Sequence, residues 1–329
     1  MARLTRALWH TSEEQSVLLE EPLPAFQEGC CLVQTAWSLL SCGTERLVAL
    51  GRVPPELQER MRVPYMGGAF PFPVKYGYSL VGRVVAGPRP WRGRWVQAMH
   101  PHQEAAWMRI EDLNPLPEGM PPRRAALFPN VETALTALWD APLKIGERVL
   151  VVGFGLVGSL VARLVQPLPG VELVVVEKQA QRAALATQMG FCVQDAAQLP
   201  AAFDCAFHCS ASAAGLQLCL DHLGPEGTAV DLSWYGTRSV PLKLGGRFHP
   251  NRLTVKSSQV SSLPPAMRPR WSHQRRREAV WRLLNDPLFD QHLTHTLPFE
   301  SAPAFFQSLR KGVPPGLGYV LQYGGGEGG

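Results

Sequence analysis

Among 329 residues and seven cysteines there is no Cys-x-x-C pair: the thiols are Cys30, Cys31, Cys42, Cys192, Cys205, Cys209 and Cys219. An odd count without paired spacing excludes a disulfide framework. It reads as a set of reduced thiols, with a cytoplasmic location as the expectation. Also missing is an apolar run of the ~20 residues a membrane span needs, because charge or glycine interrupts every candidate. The start, Met1-Ala-Arg-Leu-Thr, lacks the apolar segment of a secretion signal. No membrane insertion is expected, while attachment to a surface stays open. No Gly-X-Y period or long polar tract occurs, which excludes collagen and wholesale disorder. A strong charge of one sign is lacking too, since the formal net charge is only +5. The densest basic cluster is Arg268, Arg270, Arg275, Arg276 and Arg277. As a nucleic-acid site it would need base-reading groups beside it and a fold that presents them. No nucleic-acid partner is expected; the cluster reads first as a solvated helix and second as a phosphate or substrate contact.

What is present is apolar material for a sizeable core, 46% of the residues, with 30 glycines and 30 prolines to supply turns. The length favours two domains. Up to about Ala125 the text gives short extended runs, Val17–Glu21, Cys30–Ser38, Tyr78–Val85 and Trp95–Met99, with a glycine-bearing turn at Ser41–Thr44. Ala49–Gly68 reads as a loop with one short helix. Such a series predicts a partly open β-barrel. From Pro121 the texture changes. A helix is expected over Arg124–Trp139, then strand Arg148–Val152, a helix to about Leu164, strand Val171–Val176, helix Gln179–Gly190, and strands Phe203–His208 and Thr228–Leu232. Alternating short β runs and helices predict a mostly parallel sheet covered on both faces. The tail has a strand at Tyr319–Gln322 and a glycine-rich end expected to fray.

Strand Val149–Val152 runs straight into Gly153-Phe-Gly155-Leu156-Val157-Gly158. In a G-x-G-x-x-G turn the first glycine permits the bend, the second lets backbone approach a pyrophosphate, and the third lets the new helix pack on the strand. The N–H groups of the helix start then face the phosphates. A lone fingerprint is weak evidence. Here a second strand ends at Glu177, placed to accept from an adenosine ribose. The acidic residue favours NAD(H), because a 2′-phosphate would meet like charge; Lys178 and Arg182 stand near enough in sequence to keep NADP(H) open. Ser210 and Ser212, after the strand ending at His208, are candidates for the cofactor edge, with helix capping as the equal alternative. Ser233-Trp234-Tyr235-Gly236 follows the next strand and either walls a pocket or packs between domains. His249, Arg252 and the polar run Lys256–Gln259 line a cleft, a subunit contact or the surface.

These pieces together resemble the medium-chain dehydrogenase/reductase superfamily, the alcohol dehydrogenase fold. The carriers are Cys42-Gly43-Thr44-Glu45, Gly77–Gly82, the Thr133–Trp139 helix and Gly153–Gly158, in that order. Closer still, the chain resembles bacterial members grouped generically as zinc-type alcohol dehydrogenases. It is more distantly similar to the bacteriochlorophyllide dehydrogenase branch through Ser41–Leu47, a basis too thin for assigning a porphyrin. The resemblance implies an α/β chain in three stretches. A GroES-like catalytic domain (1–125) precedes a Rossmann doubly wound parallel sheet (126–290), and the tail (291–329) returns to the first domain. It also implies a small-molecule substrate and a homodimer.

Zinc members of the superfamily take a ligand at the position of Cys42, which is kept. The histidine of their second ligand position is replaced by Tyr78 and the glutamate after it by Ser79, while the third ligand position matches Phe128, or Glu132 if an indel shifts the match. No cysteine lies between His100 and Pro121 to build the family's structural zinc loop. No zinc is therefore expected, and the local group His100, His102 and Glu104 reads as a polar turn. The resemblance then implies a zinc-independent, NAD(P)(H)-dependent reductase of enones, quinones or activated carbonyl compounds. Secondary-alcohol oxidation is the alternative, as is a dinucleotide-binding structural or regulatory protein that has lost catalysis. Thr44 takes the hydroxyl relay position. Tyr78 either donates to the reacting oxygen or fills the vacated metal space. Cys42 is either a buried relict thiol or a nucleophile, and Glu45 holds a structural interaction.

Overall fold

The computed structural model describes residues 4–200 and 202–324; the glycine-rich end expected to fray falls on 325–329, outside the described residues. The chain divides into two compact units. The first comprises Met1–Pro129, Leu293–Pro314 and Gly318–Gly329, and the second Asn130–His292 and Pro315–Leu317. Among the described residues no helix is long and apolar enough to cross a membrane.

In the first unit, strands β1 (Leu4–His10), β2 (Ser16–Pro22), β4 (Gly67–Gly68) and β5 (Val74–Lys75) form a sheet in the order β2-β1-β5-β4. A larger mixed sheet runs β16-β17-β3-β6-β7-β9. Its members are β3 (Cys30–Leu40), β6 (Leu80–Ala86), β7 (Trp95–Ala98), β9 (Leu113–Pro115), β16 (His295–Pro298) and β17 (Tyr319–Gln322). Strand β8 (Ala105–Arg109) pairs with the first half of β3, and β17 with the second half. The segment that leads into β8 ties the two sheets together, because it bonds along β1 through Leu8 N–H to His102 O and Glu104 N–H to Arg6 O. That is the partly open barrel of a GroES-like domain. Its core takes Leu8, Leu40, Cys42, Phe299, Phe306, Tyr319 and Tyr323 on one side and Cys31, Val33, Leu80, Val96 and Met108 on the other. All seven cysteines are free thiols, and five are buried.

The second unit is a six-stranded, wholly parallel sheet in the order β12-β11-β10-β13-β14-β15. The strands are β10 (Arg148–Val152), β11 (Glu172–Val176), β12 (Cys192–Val193), β13 (Phe203–His208), β14 (Leu223–Asp231) and β15 (Thr254–Ser257). In chain order this is 3-2-1-4-5-6, the doubly wound Rossmann arrangement, whose ligand crevice lies at the carboxyl ends beside the first strand. Val149, Leu150 and Val151 of β10 are fully buried. Such a side chain gains roughly 1.5–3 kcal/mol on leaving water, so the central strand is a run of β-branched and leucine residues rather than an alternation. Helices α4 (Leu156–Val165), α5 (Ala180–Gln188) and α6 (Ala213–His222) connect the strands. Leu160, Val161 and Val165 turn the apolar face of α4 inward.

Several local expectations change. Ser41–Thr44 is not a turn: helix α1 (Cys42–Ala49) starts there, because Glu45 folds back to accept the Ser41 N–H at 2.8 Å and caps the first turn. The single helix expected over Arg124–Trp139 is two, α2 (Pro122–Ala125) and α3 (Phe128–Asp140). Pro129 has no N–H to give to Ala125, so it starts the second helix instead of continuing the first. The polar stretch after Leu253 contains edge strand β15. From the strand Lys256 Nζ reaches Asp140 O at 2.7 Å, and just past it Ser258 Oγ reaches Asp140 Oδ2 at 2.9 Å, so the stretch ties down the end of α3. His249 is exposed, and Arg252 pairs with Glu226.

The basic cluster is not one solvated face either. Helix α7 (His273–Leu284) is capped by Ser272, whose Oγ accepts the Arg275 N–H at 3.1 Å. Arg268, Arg270, Arg275 and Arg277 are exposed, whereas Arg276 is buried. Its guanidinium gives 3.0 Å to Glu132 Oε1, 3.1 Å to Thr136 Oγ1 and 2.8 Å to Val260 O. A charge buried this deeply needs such a set of partners, and the pair occupies Glu132, the alternative ligand position.

Candidate functional site

In the second unit the glycine turn is built by close backbone approaches. Gly153 has φ +97°, and a Cβ on it would meet Ser210 Cα at 2.8 Å. A Cβ on Gly158 would fall 1.9 Å from Gly153 O. Both glycines are therefore required by the protein's own packing. Gly155 differs. A Cβ there would meet only Arg182 Nη1, at 3.7 Å, so the space over it is open on the side where α4 begins. An open cradle at a helix N-terminus, with a guanidinium at its rim, fits the pyrophosphate of a dinucleotide. Gly155 is the N-cap of that helix without a side-chain cap, and Leu156 and Val157 supply its first-turn N–H groups.

Glu177 stands just past the end of β11, partly exposed. Its Oε2 accepts the Phe154 N–H at 2.7 Å and its Oε1 the Gln179 N–H at 2.8 Å. Two backbone donors fix the carboxylate beside the turn and leave a lone pair on each oxygen for ribose hydroxyls. Lys178 is exposed; Arg182 also gives Nε to Pro315 O at 3.3 Å. Ser210 and Ser212 lie in the loop after β13, their hydroxyls 2.9 Å apart. Ser212 caps α6, accepting the Gly215 N–H at 3.1 Å, so the capping reading holds for this residue.

What holds that loop is a buried pair outside the sequence expectations. His208 and Asp231 end the neighbouring strands β13 and β14 as register partners, and His208 Nδ1 lies 2.9 Å from Asp231 Oδ1. His208 is fully buried. Its other nitrogen meets Ser210 Oγ at 2.8 Å. Asp231 also accepts from the Ser233 N–H at 2.9 Å and the Tyr235 hydroxyl at 3.0 Å. Burial opposes ionisation of Asp231, but the hydrogen bonds from His208, Ser233 and Tyr235 hold its carboxyl below the usual range. Tyr235 thus finds its partner inside this unit. The available signal was a histidine and an aspartate each closing an apolar strand.

In the first unit Cys42, Thr44 and Tyr78 come together around the start of α1. The Tyr78 hydroxyl is hydrogen-bonded by the side chains of Ser41 and Thr44. Burial first, and then the neighbouring Glu45 charge, push this phenol up to about 12, so it keeps its proton at neutral pH. The Cys42 thiol is buried and faces Leu40 O at 3.9 Å, an environment that favours the inert thiol. Phe128 is buried in the core. His100, His102 and Glu104 diverge: His100 Nδ1 gives to Pro101 O at 2.8 Å, and Glu104 pairs with Arg6. His102 Nε2 meets Glu45 Oε2 at 2.9 Å. Its Nδ1 meets Ser38 Oγ at 2.8 Å, and that hydroxyl meets Tyr323 Oη at 2.8 Å. Among the described residues no group of three or more His, Cys, Asp or Glu side chains is placed to hold a metal. A zinc site does not fit this donor set: Cys42 stands beside a phenol, and Glu45 is spent on His102 and the helix cap.

Glu45 therefore joins the helix cap to a buried histidine chain. Glu45→Leu removes the acceptor from both the Ser41 N–H and the His102 ring. Thermal unfolding should show a loss of roughly 1–3 kcal/mol, and the Tyr78 phenol should move back towards its ordinary value. An unchanged melting temperature would refute the dual role.

No family model matches the chain. Over 184 residues it is 26% identical to D-guloside 3-dehydrogenase of Escherichia coli, across 52% of this chain and 53% of that protein. The chain thus spans about half the length of the curated relative it matches. Solved structures match nearly end to end. A zinc-binding dehydrogenase, so described provisionally, from Sinorhizobium meliloti bound to NADP superposes with a TM-score of 0.77 at 16% identity, covering 97% of this chain and 99% of that one. The 2R,3R-butanediol dehydrogenase of Bacillus subtilis gives the same TM-score, identity and coverage. At these identities the likeness establishes the fold.

Proposed function

We propose that this chain is an NAD(P)(H)-dependent oxidoreductase of the medium-chain dehydrogenase/reductase type. The observation that carries this reading is the open cradle over Gly155, set between the Glu177 carboxylate and the Arg182 guanidinium. A dinucleotide there supplies the hydride donor or acceptor. The glycine turn and the α4 N-terminus take its pyrophosphate, and Glu177 accepts from its adenosine ribose. NAD(H) is the favoured form, since a 2′-phosphate would stand against the Glu177 charge. Wild type should bind NADH more tightly than NADPH in a fluorescence titration, and Glu177→Ala should narrow that gap by about tenfold or more. A wild-type preference for NADPH would remove this role from Glu177.

For the reaction, interconversion of a secondary alcohol and a ketone is favoured over the reduction of enones or quinones expected from the sequence. The sugar and diol dehydrogenases that the chain resembles in sequence and fold support that choice. Tyr78 keeps its proton, so its phenol acts as hydrogen-bond donor to the substrate oxygen, with Thr44 as the hydroxyl that passes the proton on. Cys42 takes no covalent part. The likeness to bacteriochlorophyllide dehydrogenases rests on Ser41–Leu47 alone and assigns no substrate. Following NADH oxidation with panels of ketones, enones and quinones tests the reading. Turnover of ketones, lost in Tyr78→Phe, is expected. Turnover of quinones alone would restore the other chemistry, and binding without any turnover would leave a dinucleotide-binding regulatory protein. A homodimer and a small-molecule substrate complete the proposal.

A further inference from the structure

The hydrogen bonds around His208 have a direction that can be worked out atom by atom. Asp231 is an acceptor only, and it takes the Tyr235 hydroxyl at 3.0 Å and the Ser233 N–H at 2.9 Å. With its proton so placed, Tyr235 presents a lone pair to His208 Nδ1 at 3.2 Å. Ser233 Oγ gives its proton towards His208 O and also lies 3.2 Å from Nδ1. Three oxygens therefore converge on Nδ1, the nearest being Asp231 Oδ1 at 2.9 Å. In the neutral ring the proton sits on Nδ1, and Nε2 is bare. A bare Nε2 takes the Ser210 O–H at 2.8 Å. Ser210 has then spent its proton, so in the Ser210–Ser212 pair it is Ser212 that donates. Ser212 in turn accepts from Gly215 N. Each serine oxygen is left with one lone pair and no proton to offer.

We infer that His208 is a positioning residue for the dinucleotide, holding Ser210 and Ser212 as acceptors for its ribose hydroxyls. The inference rests on the dinucleotide reading above. Place supports it. The loop that carries these serines lies against the fingerprint itself, since a Cβ on Gly153 would touch Ser210 Cα at 2.8 Å and one on Gly158 would touch Cys209 Cβ at 3.1 Å. Both serines are partly exposed, whereas the histidine behind them is fully buried. Chemistry supports it as well. Apolar residues at two strand ends would pack without desolvating a carboxylate and an imidazole. A buried His–Asp pair does more than pack, because it fixes a tautomer. The other titratable groups around the pair are Tyr235, Cys209 and Cys219. Burial pushes all three upwards and the Asp231 charge adds to it, so they stay protonated at neutral pH and do not compete for the histidine proton.

Asp231→Leu tests this with a side chain of similar size that cannot accept. The Tyr235 hydroxyl, released from the carboxylate, donates to Nδ1 at 3.2 Å and shifts the ring proton to Nε2. Ser210 then receives a proton instead of giving one, and the polarity it shows a ligand inverts. The experiment is a ¹⁵N-histidine spectrum of the full chain with and without NADH, combined with NADH titration. Wild type should show the Nδ1–H tautomer in the complex. Asp231→Leu should show the Nε2–H tautomer, with the Kd for NADH raised about tenfold. Unchanged affinity alongside a shifted tautomer overturns the inference, as does an unshifted tautomer in Asp231→Leu or a charged or Nε2–H ring in the wild-type complex. If Asp231→Leu does not fold, Ser210→Ala replaces it, and an unchanged Kd there overturns the inference equally. Should wild type bind neither NADH nor NADPH, the dinucleotide reading itself fails. Wild-type binding with indifferent variants removes only the role of His208.

Discussion

Replacing Gly158 with alanine is expected to unfold or severely loosen the second unit, whereas the same change at Gly155 is expected to leave the fold intact and remove dinucleotide binding. The two glycines share a fingerprint but not a reason. At Gly158 the new methyl would lie 1.9 Å from Gly153 O and 3.1 Å from Cys209 Cβ. Neither neighbour can retreat. The Gly153 N–H is tied to Val176 O at 2.8 Å, and the Cys209 N–H to Val152 O at 2.8 Å, so relief would require breaking the sheet at the ends of its central strands. Overpacking against fixed backbone costs about 3 kcal/mol or more. At Gly155 the methyl would touch nothing nearer than Arg182 Nη1 at 3.7 Å. The melting temperature should then stay near that of wild type while the Kd for NADH rises at least ~10-fold, because the methyl stands where a pyrophosphate approaches. Calorimetry and NADH titration on the two variants decide it. A Gly155→Ala protein that binds NADH normally would mean that the open space over this turn holds no pyrophosphate.

The same contrast separates what a local stretch of sequence carries from what folding adds to it. The parallel sheet was readable from Val149–Val152, Val171–Val176 and Phe203–His208, because strands buried on both faces must be apolar throughout. The fingerprint was readable because glycine has few substitutes at such a turn. What the text concealed depends on long-range partners. Glu45 caps α1 and holds His102, 57 residues away, so the segment looked like a turn. Arg276 looked like one of five solvated arginines until its partner Glu132 was placed 144 positions earlier. The His208–Asp231 pair is visible only when β13 lies beside β14 in the right register. Spacing within a segment reports local structure, and the polar groups that segments exchange after folding leave no such period.

Three buried histidines are expected to make stability fall as the pH drops below neutrality. His10, His100 and His292 are each pushed down to about 3, chiefly by burial. Positive neighbours add to it: Arg310 for His10, Lys75 for His100 and Arg163 for His292. Among the described residues each ring has one hydrogen-bond contact, at 2.8–2.9 Å from Ser16 Oγ, Pro101 O and Ser159 Oγ respectively, and no carboxylate paired with it to stabilise a positive form. A free imidazole titrates near 6.5. Below that pH the unfolded chain takes up protons that the folded chain refuses, so stability is fully present above about 6.5 and is lost as pH falls towards 3. At pH 5 the loss is about 2 kcal/mol per histidine. The first unit holds two of these rings and the second holds one, so the first should lose about 4 kcal/mol and the second about 2. The carboxyl groups held low, Asp231 and Glu300, give up their contribution only below the ordinary carboxylate range. The window from pH 6.5 to 4.5 therefore belongs to the histidines. Calorimetry between pH 7.5 and 4.5 should show both units weakening, the first about twice as steeply, and His292→Phe should flatten the slope of the second alone. Stability that stays level across this window, or an unaltered slope in that variant, would show that these rings accept protons in the folded chain.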